Sequence, residues 1–261
     1  MAPPKALKEA DLSRVRAVFT DVDGTLNTGG VLESSTTRCI EELTRTGVPV
    51  VLVSGRPSGW GDCWARTLPV AGVIVENGAL FYVRDGGRMR KVYLQPESER
   101  GPNRKRLLRA VAAALRHVPG SRLSADSPFR EVDLALDYNE EVRLGPDAPG
   151  RLETILRARG INAVRSSVHV NFWIGAFDKL AAVRRFCADE LKLELRPDDR
   201  RIVYVGDSYN DAPLFRALPL SIGVGNVREV LETIDAPPAF MTRMREGAGF
   251  REVARAVLGA R

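Results

Sequence analysis

Short runs of consecutive apolar residues alternate, over the first third of the chain, with longer segments opened and closed by helix-boundary residues. Residues 15–19, 48–53 and 72–76 are such runs. Apolar character over most of these positions, with Arg16 within the first run and Glu76 closing the third, predicts strands buried on both faces. Residues 34–46 open on Ser and Thr and close at Gly47, which predicts a helix, and another is expected after Ser54-Gly55-Arg56-Pro57, to about residue 68. Asn77-Gly78 turns the chain into a further strand over 79–83. Apolar strands alternating with helices in this way predict a parallel α/β sheet.

From about residue 84 the texture changes. Gly86-Gly87 and residues 91–94 suggest a hairpin. A basic helix follows over 103–117, then a strand near 132–138, a helix over 150–159 and a strand over 167–174. This is an α+β pattern without long apolar runs. The parallel pattern resumes at Lys179 with a helix to about residue 190, strands over 202–205 and 221–224, and helices near Val227 and Phe250. The expected organisation is an α/β core made of residues 1–83 and 179–261, with a smaller α+β domain, residues 84–178, inserted between the halves. No internal repeat or low-complexity tract is visible.

Composition narrows the classes. With 261 residues and 44% hydrophobic content the chain can build a substantial core. The 39 basic residues exceed the 33 acidic by six. The densest basic segment, residues 100–116, reads as an exposed helix face rather than a basic patch interleaved with aromatics, so no nucleic-acid partner is expected. A modest positive field would still draw an anionic metabolite toward a cleft. Cys39, Cys63 and Cys187 have neither paired nor metal-ligand spacing, which fits reduced thiols. Residues 1–14 lack the apolar stretch of a signal peptide, and no run approaches a membrane span, so a cytoplasmic protein with no membrane contact is expected.

The candidate chemistry gathers where the core strands end. Asp21 and Asp23, two apart, can converge as the chain leaves the first strand, at an energetic cost unless a cation or a reaction uses them. Ser54 follows the next strand, and Asp207 and Asp211 follow the strand at 202–205. Lys179 opens the helix leading back into the core. In an open parallel sheet the carboxyl edge is where ligands bind. Carboxylates in this number suit a hard, oxygen-liganded cation such as Mg2+, and a Lys and a hydroxyl beside it suit a phosphoryl group. Taken singly, Asp-x-Asp-Gly is a turn, Ser54 a turn residue, Lys179 an exposed charge and Asn210 a helix cap. Their order and shared placement carry the signal.

Asp21-Val22-Asp23-Gly24-Thr25, Ser54, Lys179 and Gly206-Asp207-Ser208-Tyr209-Asn210-Asp211 together resemble the four motifs of the haloacid-dehalogenase-like phosphohydrolases. Val75-Glu76-Asn77-Gly78-Ala79 and the form of the last motif resemble the type-IIB branch, which includes sugar-phosphate, mannosyl-phosphoglycerate and phosphoglycolate phosphatases. The resemblance implies a Rossmann-like core with an α/β cap between the second and third motifs. It also implies that Asp21 attacks phosphorus to form an aspartyl-phosphate and that Asp23 is the acid and base. Mg2+ would lie on the Asp21 and Asp207 carboxylates and the Asp23 carbonyl, with Asp211 a ligand through water or the orienter of Lys179. Ser54, Lys179 and Asn210 would hold the phosphoryl oxygens. Dehalogenases lack an acid at the position of Asp23 and the cation pumps carry Thr there, so its presence points to a phosphatase of a small phosphorylated metabolite. A hexose-phosphate mutase using the same intermediate is the alternative, and a non-catalytic metabolite-binding protein a third reading. In the inserted domain, His169, Asn171 and Trp173 share a strand face. Asn171 and Arg130 are the candidate substrate contacts, with a salt bridge as the competing reading for Arg130 and a structural role for His169. Trp60 and Trp64, four apart on a helix, read as packing.

Overall fold

Walking the chain through the computed structural model, which describes residues 3–261, gives the elements in order. The first part contains β1 (Lys5–Ala6), β2 (Ala17–Thr20), α1 (Ser34–Arg45), β3 (Val50–Val53), α2 (Ser58–Thr67), β4 (Gly72–Val75), β5 (Leu80–Asp85) and β6 (Arg88–Tyr93). The middle contains α3 (Glu97–His117), β7 (Arg122–Leu123), β8 (Leu134–Asp137), α4 (Ala148–Arg157), β9 (Asn162–Arg165) and β10 (His169–Trp173). The last part contains α5 (Lys179–Asp189), β11 (Ile202–Gly206), α6 (Ala212–Ala217), β12 (Ser221–Gly223), β13 (Phe240–Met241) and α7 (Glu246–Gly259).

The first and last parts share one nine-stranded sheet in the order β1-β13-β12-β11-β2-β3-β4-β5-β6. Pairing is parallel from β1 to β4 along this order, and only the β4–β5 and β5–β6 pairs are antiparallel. Because side chains alternate along each strand, the apolar runs supply both faces. Val18, Val50, Leu52 and Val73 pack toward Ile40 and Leu43 of α1 and Phe250 and Val253 of α7. Phe19, Val51, Val53 and Ile74 pack toward Ala182, Val183 and Phe186 of α5. Phe186 sets its ring edge-on to Phe19 at 5.9 Å and Phe81 at 5.3 Å.

The middle part forms a second, antiparallel sheet in the order β7-β8-β10-β9. Leu134, Leu136, Val170 and Phe172 face Leu107 and Ala114 of α3 and Leu152 and Leu156 of α4. The alternate residues, among them His169 and Asn171, lie on the other face, toward the core, and are buried there. The hairpin expected inside the inserted domain belongs elsewhere. Its strand β6 pairs with β5 along six residues and forms the edge of the core sheet, so the excursion begins after residue 93 rather than at 84.

A single side chain does much to seat the second sheet on the first. The buried Glu76 carboxylate accepts from the backbone N–H groups of Glu131 (2.8 Å), Val132 (2.7 Å) and Asp133 (3.0 Å), and from that of Ser58 (2.9 Å). Three successive left-handed residues, Glu76, Asn77 and Gly78, aim it there. At Gly78, with φ +97, a Cβ would stand 2.1 Å from the Asp178 carbonyl oxygen, so the turn requires glycine.

Candidate active site

Asp21 directly follows β2, and its N–H still bonds the Val205 carbonyl of the neighbouring β11 at 2.8 Å. The chain then bends through Gly24 at φ +74, where a Cβ would lie 2.6 Å from Asp207 Oδ2. Only glycine allows both that bend and the approach of Asp207. Ser54 follows β3, and Asp207 follows β11. The Asp178 side chain caps α5 by accepting from Ala181 N–H at 2.6 Å, which fixes Lys179 as the first helical residue. The strand order thus delivers these groups to the carboxyl edge of the parallel strands.

They meet there. Lys179 Nζ donates to Asp21 Oδ1 at 3.0 Å and to Asp211 Oδ1 at 2.7 Å, with the ammonium buried. Asp211 Oδ1 also accepts from the Tyr204 hydroxyl at 2.5 Å, and Oδ2 from the N–H groups of Asp207 (2.9 Å) and Ser208 (3.1 Å). Four donors therefore saturate Asp211, which acts as the anchor of Lys179. Asp207 Oδ1 accepts from Thr25 Oγ1 at 2.7 Å and Oδ2 from Asn226 Nδ2 at 2.9 Å. Ser54 Oγ accepts from Arg56 N–H at 3.0 Å, and Asn210 Oδ1 from Ser208 Oγ at 2.8 Å. The Asp23 carboxylate is gripped by Arg56, Nε at 2.7 Å and an Nη at 3.1 Å, and by Asn27 Nδ2 at 3.2 Å.

Burial raises the Asp21 carboxyl to about 7 against the pull of Lys179, with Asp211 and Asp23 adding to the rise. Asp207 is likewise pushed well above the carboxylate range by burial, then by Asp21 and Asp211. Desolvation alone would lower Lys179, but Asp21 and Asp211 hold its pKa above the usual value, so it stays an ammonium. One oxygen from each of Asp21, Asp207 and Asp211 lies within 4.8 Å of the others. Three buried acids facing one ammonium form a donor set that a divalent, oxygen-seeking cation would neutralise. Because Asp211 is saturated, Asp21 and Asp207 are the carboxylates free to hold it.

From the inserted sheet, Asn171 and His169 line the same small cavity as Asp21, Ser54 and Asn210. Asn171 Oδ1 is buried and has no hydrogen-bond partner among the described residues. Arg130 does not reach the cavity. Its guanidinium is wholly buried and donates to Asp126, to Asp133 Oδ1 at 2.7 Å and to the Gly55 carbonyl at 3.0 Å. The salt-bridge reading of Arg130 therefore replaces the substrate-contact one, and the bridge is internal rather than on the surface. Trp60 and Trp64 pack edge to face at 5.4 Å. Arg56, Asn226 and Tyr204 were not anticipated. Asn226 sits in the turn after β12, another strand end, where the rule that found the other motifs would have found it.

Residues 18–100 match the family profile described as haloacid dehalogenase-like hydrolase. A curated relative, a phosphoglycolate phosphatase of Methanopyrus kandleri, is 27% identical over 223 residues, covering 83% of this chain and 87% of its own. Among solved structures, the C-terminal domain of a C. albicans trehalose-6-phosphate phosphatase superposes with a TM-score of 0.73 at 16% identity, covering 99% of both chains. The Thermoplasma acidophilum 0175 protein does so with a TM-score of 0.70 at 20% identity, covering 94% of this chain and 98% of that one. Residues 18–100 thus carry the profile of the haloacid dehalogenase-like hydrolases, and the chain as a whole shares the fold of these solved structures. No helix of the described residues is long and apolar enough to cross a membrane.

Proposed function

We propose that the protein is a Mg2+-dependent phosphatase that cleaves a phosphomonoester of a small metabolite, a sugar phosphate or a phosphorylated small acid, through an aspartyl-phosphate. The carrying observation is the set of Asp21, Lys179 and Asp207 packed together at the sheet edge, with an acid retained at Asp23. Asp21 and Asp207, with the Asp23 carbonyl, would hold Mg2+. The ion supplies charge neutralisation for the phosphoryl group and for the buried acids. Ser54, Lys179 and Asn210 bind the phosphoryl oxygens. An Asp21 oxygen forms the new bond to phosphorus as the bond to the leaving oxygen breaks, and Asp23 gives its proton to that oxygen. Water then attacks the aspartyl-phosphate, Asp23 takes its proton, and the bond from phosphorus to Asp21 breaks. Residues 94–178 act as the cap. The unpartnered, buried Asn171 Oδ1 supports a contact from the cap to a hydroxyl of the leaving group.

The purified chain should release phosphate from an aryl phosphate, stop with EDTA and resume with Mg2+. Failure to resume would overturn the metal-dependent reading. On a panel of sugar phosphates and phosphoglycolate, Asn171→Ala should raise KM for the best substrate and spare the aryl phosphate. Equal loss on both would make Asn171 structural.

The acid cluster also sets a pH dependence for the metal-free protein. The folded pKa of Asp21, about 7, lies above its unfolded value of 3.8. The folded form therefore keeps a proton that the unfolded chain has released. This group's contribution to stability falls as pH rises through that window, and the full cost is present above it. A bound cation relieves the cost, and protons compete with it. The rise in unfolding temperature on exchanging EDTA for Mg2+ should thus be larger at pH 8 than at pH 5, and a shift independent of pH would place the ion elsewhere.

A further inference from the structure

We propose that Arg56 is a positioning residue that couples the Asp23 carboxyl group to closure of the cap, so that the proton donor is oriented only while the cap is seated. The proposal rests on the phosphatase reading and deepens it. Arg56 is buried and joins carboxylates from three parts of the chain. It grips Asp23 of the core through two nitrogens, reaches Glu140 of the cap at 2.8 Å, and lies 3.6 Å from Asp126, also of the cap. The Trp60 ring lies under its guanidinium, 4.9 Å from the centroid. A planar guanidinium held on several sides fixes the plane of a carboxylate that it grips through two nitrogens. The other side-chain donor to Asp23 among the described residues is Asn27, at 3.2 Å, so Arg56 dominates its orientation.

The cap end of this link is itself set firmly. Glu140 Oε2 lies 2.8 Å from His169 Nε2 on β10, the strand over the cavity. The Glu140 N–H donates to Asp137 Oδ1 at 2.8 Å. The close approach of His169, then the bond from Arg56, holds Glu140 ionised, with its pKa lowered to about 2. A continuous path therefore runs from the cap strand through Glu140 and Arg56 to Asp23. With the cap seated, the cavity between Asp21 and Asn171 measures about 20 Å³, room for little more than a water molecule. A larger cleft of about 630 Å³, lined by Asp23, Arg56, Glu140 and Asp207, opens beside it. A leaving group seated between Asp21 and Asn171 itself requires the cap to be displaced, and displacement parts Glu140 from Arg56.

A leaving-group series tests this. A proton donor matters most when the departing oxygen is strongly basic and least when it leaves readily as a phenolate. The readout is kcat/KM, which reports phosphoryl transfer to Asp21 and not the later hydrolysis, for aryl phosphates of graded phenol acidity. Arg56→Gln should lower kcat/KM on the order of 10²-fold for the least acidic phenol and less than about threefold for nitrophenol, steepening the dependence. Glu140→Gln should steepen it to a smaller degree, and the double variant should be no worse than Arg56→Gln. A parallel drop across the series would make Arg56 a structural or phosphoryl-binding residue and overturn the proposal alone. Should Arg56→Gln fail to fold, Glu140→Gln decides: an unchanged slope overturns the coupling. Absence of turnover by the unaltered chain with Mg2+ would overturn the phosphatase reading, and the proposal with it.

Discussion

Asp21→Asn is expected to leave the protein folded and to lower phosphate release on the order of 10⁴-fold or more, the scale on which removal of a nucleophile acts. The amide has the shape of the carboxylate, so the N–H bond to Val205 and the packing at the end of β2 persist. It lacks the anionic oxygen that must bond phosphorus. Asn also removes a negative charge that helps raise the neighbouring Asp207, while forfeiting the charged partner of Lys179, so the unfolding temperature should move little. Phosphate release measured beside thermal unfolding separates the two effects. Activity near that of the unaltered chain would exclude the covalent route.

The largest loss of stability is expected from Lys179→Met. Methionine fills most of the space of the alkyl stem but removes the one ammonium between Asp21 and Asp211. Breaking a buried ion pair by deleting one partner costs about 3–5 kcal/mol, because the surviving charge stays buried and unpaired. Turnover should vanish as well. Lys179 draws the Asp21 pKa down to about 7, so without it Asp21 takes up its proton at higher pH, and the deficit should shrink as pH falls toward about 7. Denaturant unfolding at several pH values, with EDTA present, checks this, and a deficit that grows on acidification would overturn the assignment.

What the sequence disclosed follows from where its signals are local. Strands such as Val50–Val53 are buried on both faces and therefore read as apolar runs. The acids stand at the ends of those runs, so finding the strands found Asp21 and Asp207. Strand β9 escaped because it is a half-exposed edge with mixed polarity, and β1 and β13 because two residues hold no periodicity. Helix α3 begins at Glu97, before the expected start, because Gly101-Pro102 reads as a break. Its exposed first turns leave the carbonyl deprived by Pro102 open to water. The two arginines whose roles were not foreseen share one property. Arg56 takes its meaning from Glu140, 84 positions away, and Arg130 from Gly55, 75 positions away. Nothing in a local pattern separates a guanidinium that will meet a carboxylate across a fold from one bound for solvent.

The grip of Glu76 falls on the main chain of the cap. The N–H groups at 131, 132 and 133 that it holds are present whatever side chains those positions carry. Proline alone is barred, because it has no N–H to give. These backbone bonds are indifferent to the letters written there, while the Glu131 and Asp133 side chains add bonds of their own across the seam, to Ser58 and Asn77. A substitution there forfeits the side chain's own bonds and leaves the hold of Glu76 on the main chain in place. A cap joined in this way can exchange the residues that greet a substrate one at a time, and each new surface is presented to the same catalytic edge in the same pose.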